Sequence, residues 1–373
     1  MRISSASAYL IKWPFTLPVE HSLARNVATE NLIVKLSDED GRSGYGEGIP
    51  RSYVTGETTA ESLTALQSIF FPLVLRQKIE PRQALNFLSV NLPGEKIDQW
   101  PAAACAVEIA LLDLAGQILN QPLSEILGGC VNESLTYSAI ITISGPDQLE
   151  NIMDLIQAVE ATEIKVKVGH EGDLDLVAKV RRTFGPKTDL RVDVNGVWST
   201  EDAIKKILVL QELGISAVEQ PVAKNNLKGL AEVTRKVKPL ILADESLCTE
   251  ADAQALIEAR AVSGFNLRLS KCGGPARTLK LLNLARQAGL ACQLGCQVGE
   301  LGLLSAAGRH FAATQPDLIH LEGCLTRFFL TRDIIKEDLS PGSGAKAAPL
   351  TGSGLGVTVL DSALANSHLF TLP

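Results

Sequence analysis

From about residue 135 the chain repeats one unit, a short β-branched apolar run followed by an amphipathic helix. The runs are TYSAIITI, EIKVKV, LRVDV, ISAVEQ, LILAD, FNLRLSK, ACQLG and DLIHLEG. Between them lie helical stretches such as DLDLVAKVRRTF, EDAIKKILVLQEL, ADAQALIEAR and ARTLKLLNLARQ. Eight strands joined by seven or so crossovers form a parallel sheet, and closing that sheet into a barrel is its economical arrangement. The fold class expected is therefore α/β, built on a TIM-type barrel.

The rest of the chain follows other rules. The first ~35 residues alternate like strands, NLIVKL most clearly, and a turn-rich stretch GRSGYGEGIPRSYVTGE comes next. Residues from about 59 to 127 read as helices. They include the apolar AAACAVEIALLDLAGQILN, which stops at Gln121-Pro122 as proline requires. After about 340 the chain turns Gly/Ser/Pro-rich and ends in TVLDSALANSHLF, a tail expected to return to the N-terminal module. At 373 residues the chain exceeds one ordinary domain. The division expected is 1–127, 128–341 and 342–373.

A net charge of −7 with no Lys/Arg block argues against nucleic acid or an anionic membrane as partner. The N-terminus has no signal-peptide core, and no uninterrupted apolar run nears the roughly 18 residues of a membrane span. A soluble, cytoplasmic protein is the expectation. Seven scattered cysteines contain no Cys-x-x-Cys pair and read mostly as small buried residues in a reducing compartment.

Chemistry enters through a ladder of ionisable residues. Lys167, Asp193, Glu219, Asp244 and Lys271 follow one another at intervals of 26, 26, 25 and 27, each at the carboxyl end of an apolar strand. One βα unit recurs at that interval, so all five should meet on the barrel rim where such enzymes build active sites. Singly, each has a bland reading as a helix cap, a turn or a strand edge. Five at one spacing do not. Three carboxylates on adjacent strands, with no His or Cys pattern beside them, make a hard-oxygen site suited to one Mg²⁺.

Lys165 and Lys167 stand two apart on one strand and so share a face. Two ammonium groups in one pocket should depress each other's pKa and free one to act as a base. Lys271, from the sixth strand, stands across the barrel. A carboxylate substrate held between them would lose its α-proton to one lysine and regain it from the other, inverting the centre through an enediolate.

The motifs IKVKVG, RVDVNG, AVEQPV, LADES and NLRLSKCGG together resemble the muconate-lactonizing subgroup of the enolase superfamily over essentially the full length. The resemblance implies a (β/α)₇β barrel under an α+β capping domain, itself made from the N-terminal region and the C-terminal tail. Segments around Leu17–Arg25 and Arg51–Glu57 would close over the substrate. Asn195 would orient the metal ligands from behind. The barrels of this group often assemble, which implies a homo-oligomer.

Within the subgroup, RSYVTGET, SKCGG and LGCQVGE are most similar to dipeptide epimerases. That likeness implies substrate contacts from Thr142, Lys165, Cys296 and Glu322. The family's Asp-x-Asp after the eighth strand is replaced by HLEGCLTRFFL. Glu322 is then the one anion left there for a dipeptide ammonium, while Arg327 would repel an ammonium or attract an acidic side chain. The enzyme alternatives are a cycloisomerase, an o-succinylbenzoate synthase or an N-acylamino acid racemase. The non-enzyme alternative is a carboxylate-binding protein.

Overall fold

The computed structural model describes the backbone of residues 1–21, 24–142 and 146–373, and the side chains of 1–16, 27–142 and 149–373. Three antiparallel strands open the chain, β1 (Ile3–His21), β2 (Ala24–Asp38) and β3 (Ser43–Gly48). A short strand β4 (Leu135–Thr136) then leads into the parallel sheet. Its members are β5 (Ala139–Ile141), β6 (Glu163–Lys167), β7 (Asp189–Asp193), β8 (Ile215–Glu219), β9 (Leu240–Ala243), β10 (Gly264–Leu267), β11 (Ala291–Leu294) and β12 (Leu318–Leu321). They lie side by side in chain order, every neighbouring pair parallel. The sheet curls until the Ser138 N–H, just before β5, donates to the Leu321 carbonyl of β12 at 2.8 Å. A helix follows each of the first seven strands, as the crossovers require.

The tail does return. After β13 (Lys346–Ala347), which pairs with β4, the last strand β14 (His368–Leu372) pairs antiparallel with β1. The N-terminal sheet therefore has the order β14-β1-β2-β3.

The stretch SGYGEG is a strand where the sequence suggests turns. Its glycines serve packing. Helix Pro101–Leu119 crosses β3 so closely that a Cβ on Gly44, Gly46 or Gly48 would lie 2.2, 2.0 or 2.0 Å from the carbonyl oxygens of Ala110, Ala106 and Ala102. Alternate glycines on the strand thus meet alanines one helical turn apart. Gly46→Ala should cost at least about 3 kcal/mol, because backbone meets backbone and neither can yield. Urea unfolding measures this, and a midpoint equal to wild type would refute the close packing.

That helix is long and apolar enough to cross a membrane, yet 16 of its 19 residues are buried within the protein. Its two carboxylates link it to its surroundings. Glu108 accepts the Ala276 N–H (3.1 Å) on the barrel side, and Asp113 accepts the N–H groups of Tyr45 (2.9 Å) and Leu355 (2.8 Å). Glu57 holds its amino end, accepting from Ala102 (2.8 Å) and Ala103 (3.2 Å). Burial pushes Glu57 up to about 7 and Glu108 to about 8 against these hydrogen bonds.

His310 ties the tail to the barrel. Its Nδ1 accepts the Ser124 N–H at 3.3 Å, so Nε2, 3.1 Å from the Leu355 carbonyl, carries the proton. Burial holds this ring neutral, with a pKa down at about 4. The folded value lies below the unfolded one of about 6.5, so its stabilisation is complete above that pH and is lost as pH falls through 4. The loss is roughly 3 kcal/mol. Thermal melts should show wild type losing more stability than His310→Gln between pH 6.5 and 4, and parallel pH profiles would count against this.

Candidate active site

The ladder converges at the carboxyl ends of the parallel strands. Register aligns its first members: Lys167 pairs with Asp193, and Asp193 with Glu219, straight across β6, β7 and β8. Asp244 follows β9 directly. Lys271 sits in a one-turn helix (Leu269–Cys272) after β10, and not at the strand end itself. Asp193, Glu219, Asp244, Lys165 and Lys271 are at most 2% exposed.

Each carboxylate faces cations of the chain. Lys167 Nζ donates to Asp193 Oδ2 at 2.5 Å and to Asn195 Oδ1 at 2.9 Å. Asn195 in turn donates to Glu245 Oε1 at 2.9 Å. Lys165 Nζ lies 2.7 Å from Glu322, 3.4 Å from Glu219 and 3.5 Å from Asp193. Arg268 pairs with Asp244 and reaches Glu219 at 3.4 Å. Lys271 Nζ donates to Asp244 Oδ1 (2.9 Å), the Asp244 carbonyl (2.7 Å) and the Asn266 carbonyl (2.8 Å).

The charges follow from this packing. Burial opposes the Asp193 anion, but Lys167 and Lys165 outweigh it and hold the carboxyl well below the usual range. Asp244 is lowered likewise, with Arg268 and Lys271 overcoming burial. Burial, then repulsion from Asp193, pushes Glu219 up to about 8. The expected mutual depression of the lysine pair does not hold for Lys165. Burial works in that direction, but Glu219, Glu322 and Asp193 surround the ammonium and raise its pKa. Lys271 is raised too, Asp244 overcoming burial.

Three buried carboxylates at adjacent strand ends, supported by Asn266 and Gln293 amides on Glu219 at 2.8 and 2.6 Å, are a hard-oxygen donor set that fits a divalent cation. Their heads are turned to the lysines and Arg268. Among the described residues no three His, Cys, Asp or Glu side chains form a ready-made cage.

Thr142, Lys165, Lys167, Cys296 and Glu322 line one cavity of about 50 Å³, with Arg268, Glu245 and Glu300. Tyr53 and Val54, from the segment around Arg51–Glu57, also line it, whereas the side chains of Leu17–Arg25 lie outside the described residues. Lys271 does not line the cavity and stands behind Asp244. Glu322 is not the free anion expected for an ammonium. Its oxygens are held by Lys165 and by Arg191 Nη2 at 2.7 Å, and the two cations overcome burial to bring its pKa down to about 2. Arg327 points elsewhere, to Asp338 at 2.6 Å. All seven cysteines are free thiols, and burial raises that of Cys296 well above its usual value.

Arg191, Arg268, Asn266 and Gln293 are absent from the sequence reading. Arg191 carried a signal, since it stands two before Asp193 at the end of β7 and shares its inward face, whereas Asn266 and Gln293 each stand one before the end of their strand and Arg268 follows β10.

Two family models match the chain. Residues 5–128 match the mandelate racemase/muconate lactonizing enzyme N-terminal domain, and residues 150–363 the enolase C-terminal domain-like model. A hydrophobic dipeptide epimerase of Enterococcus faecalis is 32% identical over 350 residues, 93% of this chain and 91% of that one. A crystal structure of dipeptide epimerase from that organism, complexed with Mg and L-Leu-L-Tyr, superposes with a TM-score of 0.86 at 29% identity, over 96% of this chain and all of that one. The N-succinyl Arg/Lys racemase structure from Bacillus cereus gives 0.90 at 27% identity, over 100% and 99%. Muconate cycloisomerase 1 of Acinetobacter baylyi is 28% identical over 95% of this chain and 96% of its own length.

Proposed function

Because the chain belongs to the mandelate racemase/muconate lactonizing subgroup of the enolase superfamily, and the relatives named above are epimerases, racemases or cycloisomerases, we propose that it inverts the α-carbon of an amino acid acylated on nitrogen. A dipeptide, epimerised at its C-terminal residue, is the case in which the acyl group is aminoacyl. The observation that carries this reading is the bracketing of one carboxylate cluster by lysines from two sides, Lys167 on Asp193 and Lys271 on Asp244. Likeness to epimerases and racemases of amino-acid derivatives supports it.

Asp193, Glu219 and Asp244 would hold a Mg²⁺, as solved relatives carrying Mg suggest. When bound, the cation offsets the negative charge that grows on a substrate carboxylate as its α-proton leaves. Lys167 lines the cavity and takes or returns that proton on one face. Lys271 serves the other face, for which Nζ must turn from the oxygens of Asp244 and Asn266, a rotation its four-carbon stem allows. Lys165 keeps its charge among Glu219, Glu322 and Asp193 and neutralises the enediolate.

A library of dipeptides and N-acyl amino acids incubated with enzyme and Mg²⁺ in D₂O tests this. Substrates should gain one mass unit and lose optical purity. Loss of water or ring opening without exchange in the remaining substrate would favour the cycloisomerase or synthase reaction. No exchange with any compound would defeat the proposal.

A further inference from the structure

A second cavity, of about 260 Å³, adjoins the catalytic one and shares Ile140, Thr142, Leu325 and Phe329 with it. It runs between the first crossover helix, Pro146–Ala158, and the loop after β12. None of the described residues lining it carries a formal charge. Its walls are Ile152, Leu155, Ile156, Val159 and Phe328, and two of these, Leu155 and Phe328, stand 52% and 47% exposed. Large apolar side chains left this wet beside a preformed hollow gain by burial against an apolar occupant. The cap contributes the near wall. Thr16 Oγ1 donates to the carbonyls of Phe328 (3.4 Å) and Phe329 (3.3 Å), and Phe15 meets Phe329 edge-on at 6.3 Å between ring centres.

The polar side of the junction points the same way. Glu322, the anion best placed at the end of β12 to meet an ammonium, is taken by Lys165 and Arg191. A cationic group at this end of the substrate would find no free carboxylate among the residues lining the second cavity, and it would have to shed its water. An uncharged apolar group loses nothing there.

We propose that this second cavity is the substrate's acyl subsite, and that it takes an uncharged aliphatic or aromatic acyl end. The inference rests on the racemase reading and names its substrate class: N-acyl amino acids with an apolar acyl group. A dipeptide enters this class only through an apolar N-terminal side chain, its ammonium adding nothing to affinity.

Binding and turnover are measured separately on the Mg²⁺-loaded enzyme. Calorimetry with N-acetyl-, N-butanoyl- and N-hexanoyl-amino acids of one parent should show Kd falling roughly fourfold per added methylene. The 4-methylpentanoyl compound should bind at least as tightly as the leucyl dipeptide of the same shape, from which it differs by lacking the ammonium. Ile152→Trp, which fills the cavity, should flatten the chain-length dependence. Leu155→Lys, at an already exposed position where the fold is not at stake, should weaken hexanoyl relative to acetyl binding by about tenfold. A flat series in wild type, or tighter binding of the leucyl compound by tenfold, overturns the subsite even if α-proton exchange is seen. A steep series without exchange of any ligand establishes the subsite and overturns the racemase reading instead.

Discussion

Lys271→Ala should abolish inversion, lowering kcat by on the order of 10³-fold or more, while one stereoisomer of the substrate still exchanges its α-proton with D₂O. Lys167→Ala should spare the other stereoisomer. The asymmetry follows from geometry, because the two ammonium groups reach the carboxylate cluster from β6 and from the turn after β10, on opposite sides. Circular dichroism guards against misfolding. Asp244 keeps Arg268 when Lys271 is lost, and Asp193 keeps Lys165 when Lys167 is lost, so neither carboxylate is stranded. Equal residual exchange of both stereoisomers in either variant would sink the two-base mechanism.

Removal of the divalent cation by a chelator should bring turnover to background, and Mg²⁺ should restore it. Glu219→Gln should lose on the order of 10³-fold in kcat, with Mg²⁺ binding weakened in calorimetry. This substitution separates chemistry from folding better than Asp244→Asn. Asp244 neutralises both Arg268 and Lys271, so its replacement leaves two buried cations short of a partner. Glu219 already suffers repulsion from Asp193 and Asp244, and shedding its charge relieves that. The melting temperature of metal-free Glu219→Gln should therefore fall less than that of Asp244→Asn. Full turnover after exhaustive chelation would exclude the metal assignment.

The barrel and the ladder were legible in the sequence because both follow from local rules. Apolar runs and helices alternate at a fixed interval, and period-two alternation points Lys165 with Lys167 to one side. The same rule, applied one step earlier on β7, would also have found Arg191, whereas Asn266 stands five before Lys271 and off that period. What could not be read was partnership. Glu322 lies 157 residues from Lys165 and 131 from Arg191 in sequence, and only the closed barrel brings the three together. Lys165 is misjudged for the same reason, since its neighbour in sequence is a lysine and its neighbours in space are three acids. The stretch SGYGEG looked like a turn because glycine has two uses, and the alanines that explain it come some 60 residues later.

The pairing of β14 with β1 also has consequences for synthesis. The Ala6–Tyr9 stretch of the β1 edge facing away from β2 is covered by a strand that emerges roughly 320 residues after β3 is complete, which at about 5–20 residues per second leaves it bare for tens of seconds. During that interval the nascent chain carries a long strand with unpaired amides, a template for the wrong neighbour. The cap is thus first in sequence and last to be finished. A ribosome-bound intermediate of this protein should depend on chaperones at its amino end, even while the barrel strands downstream are still being made.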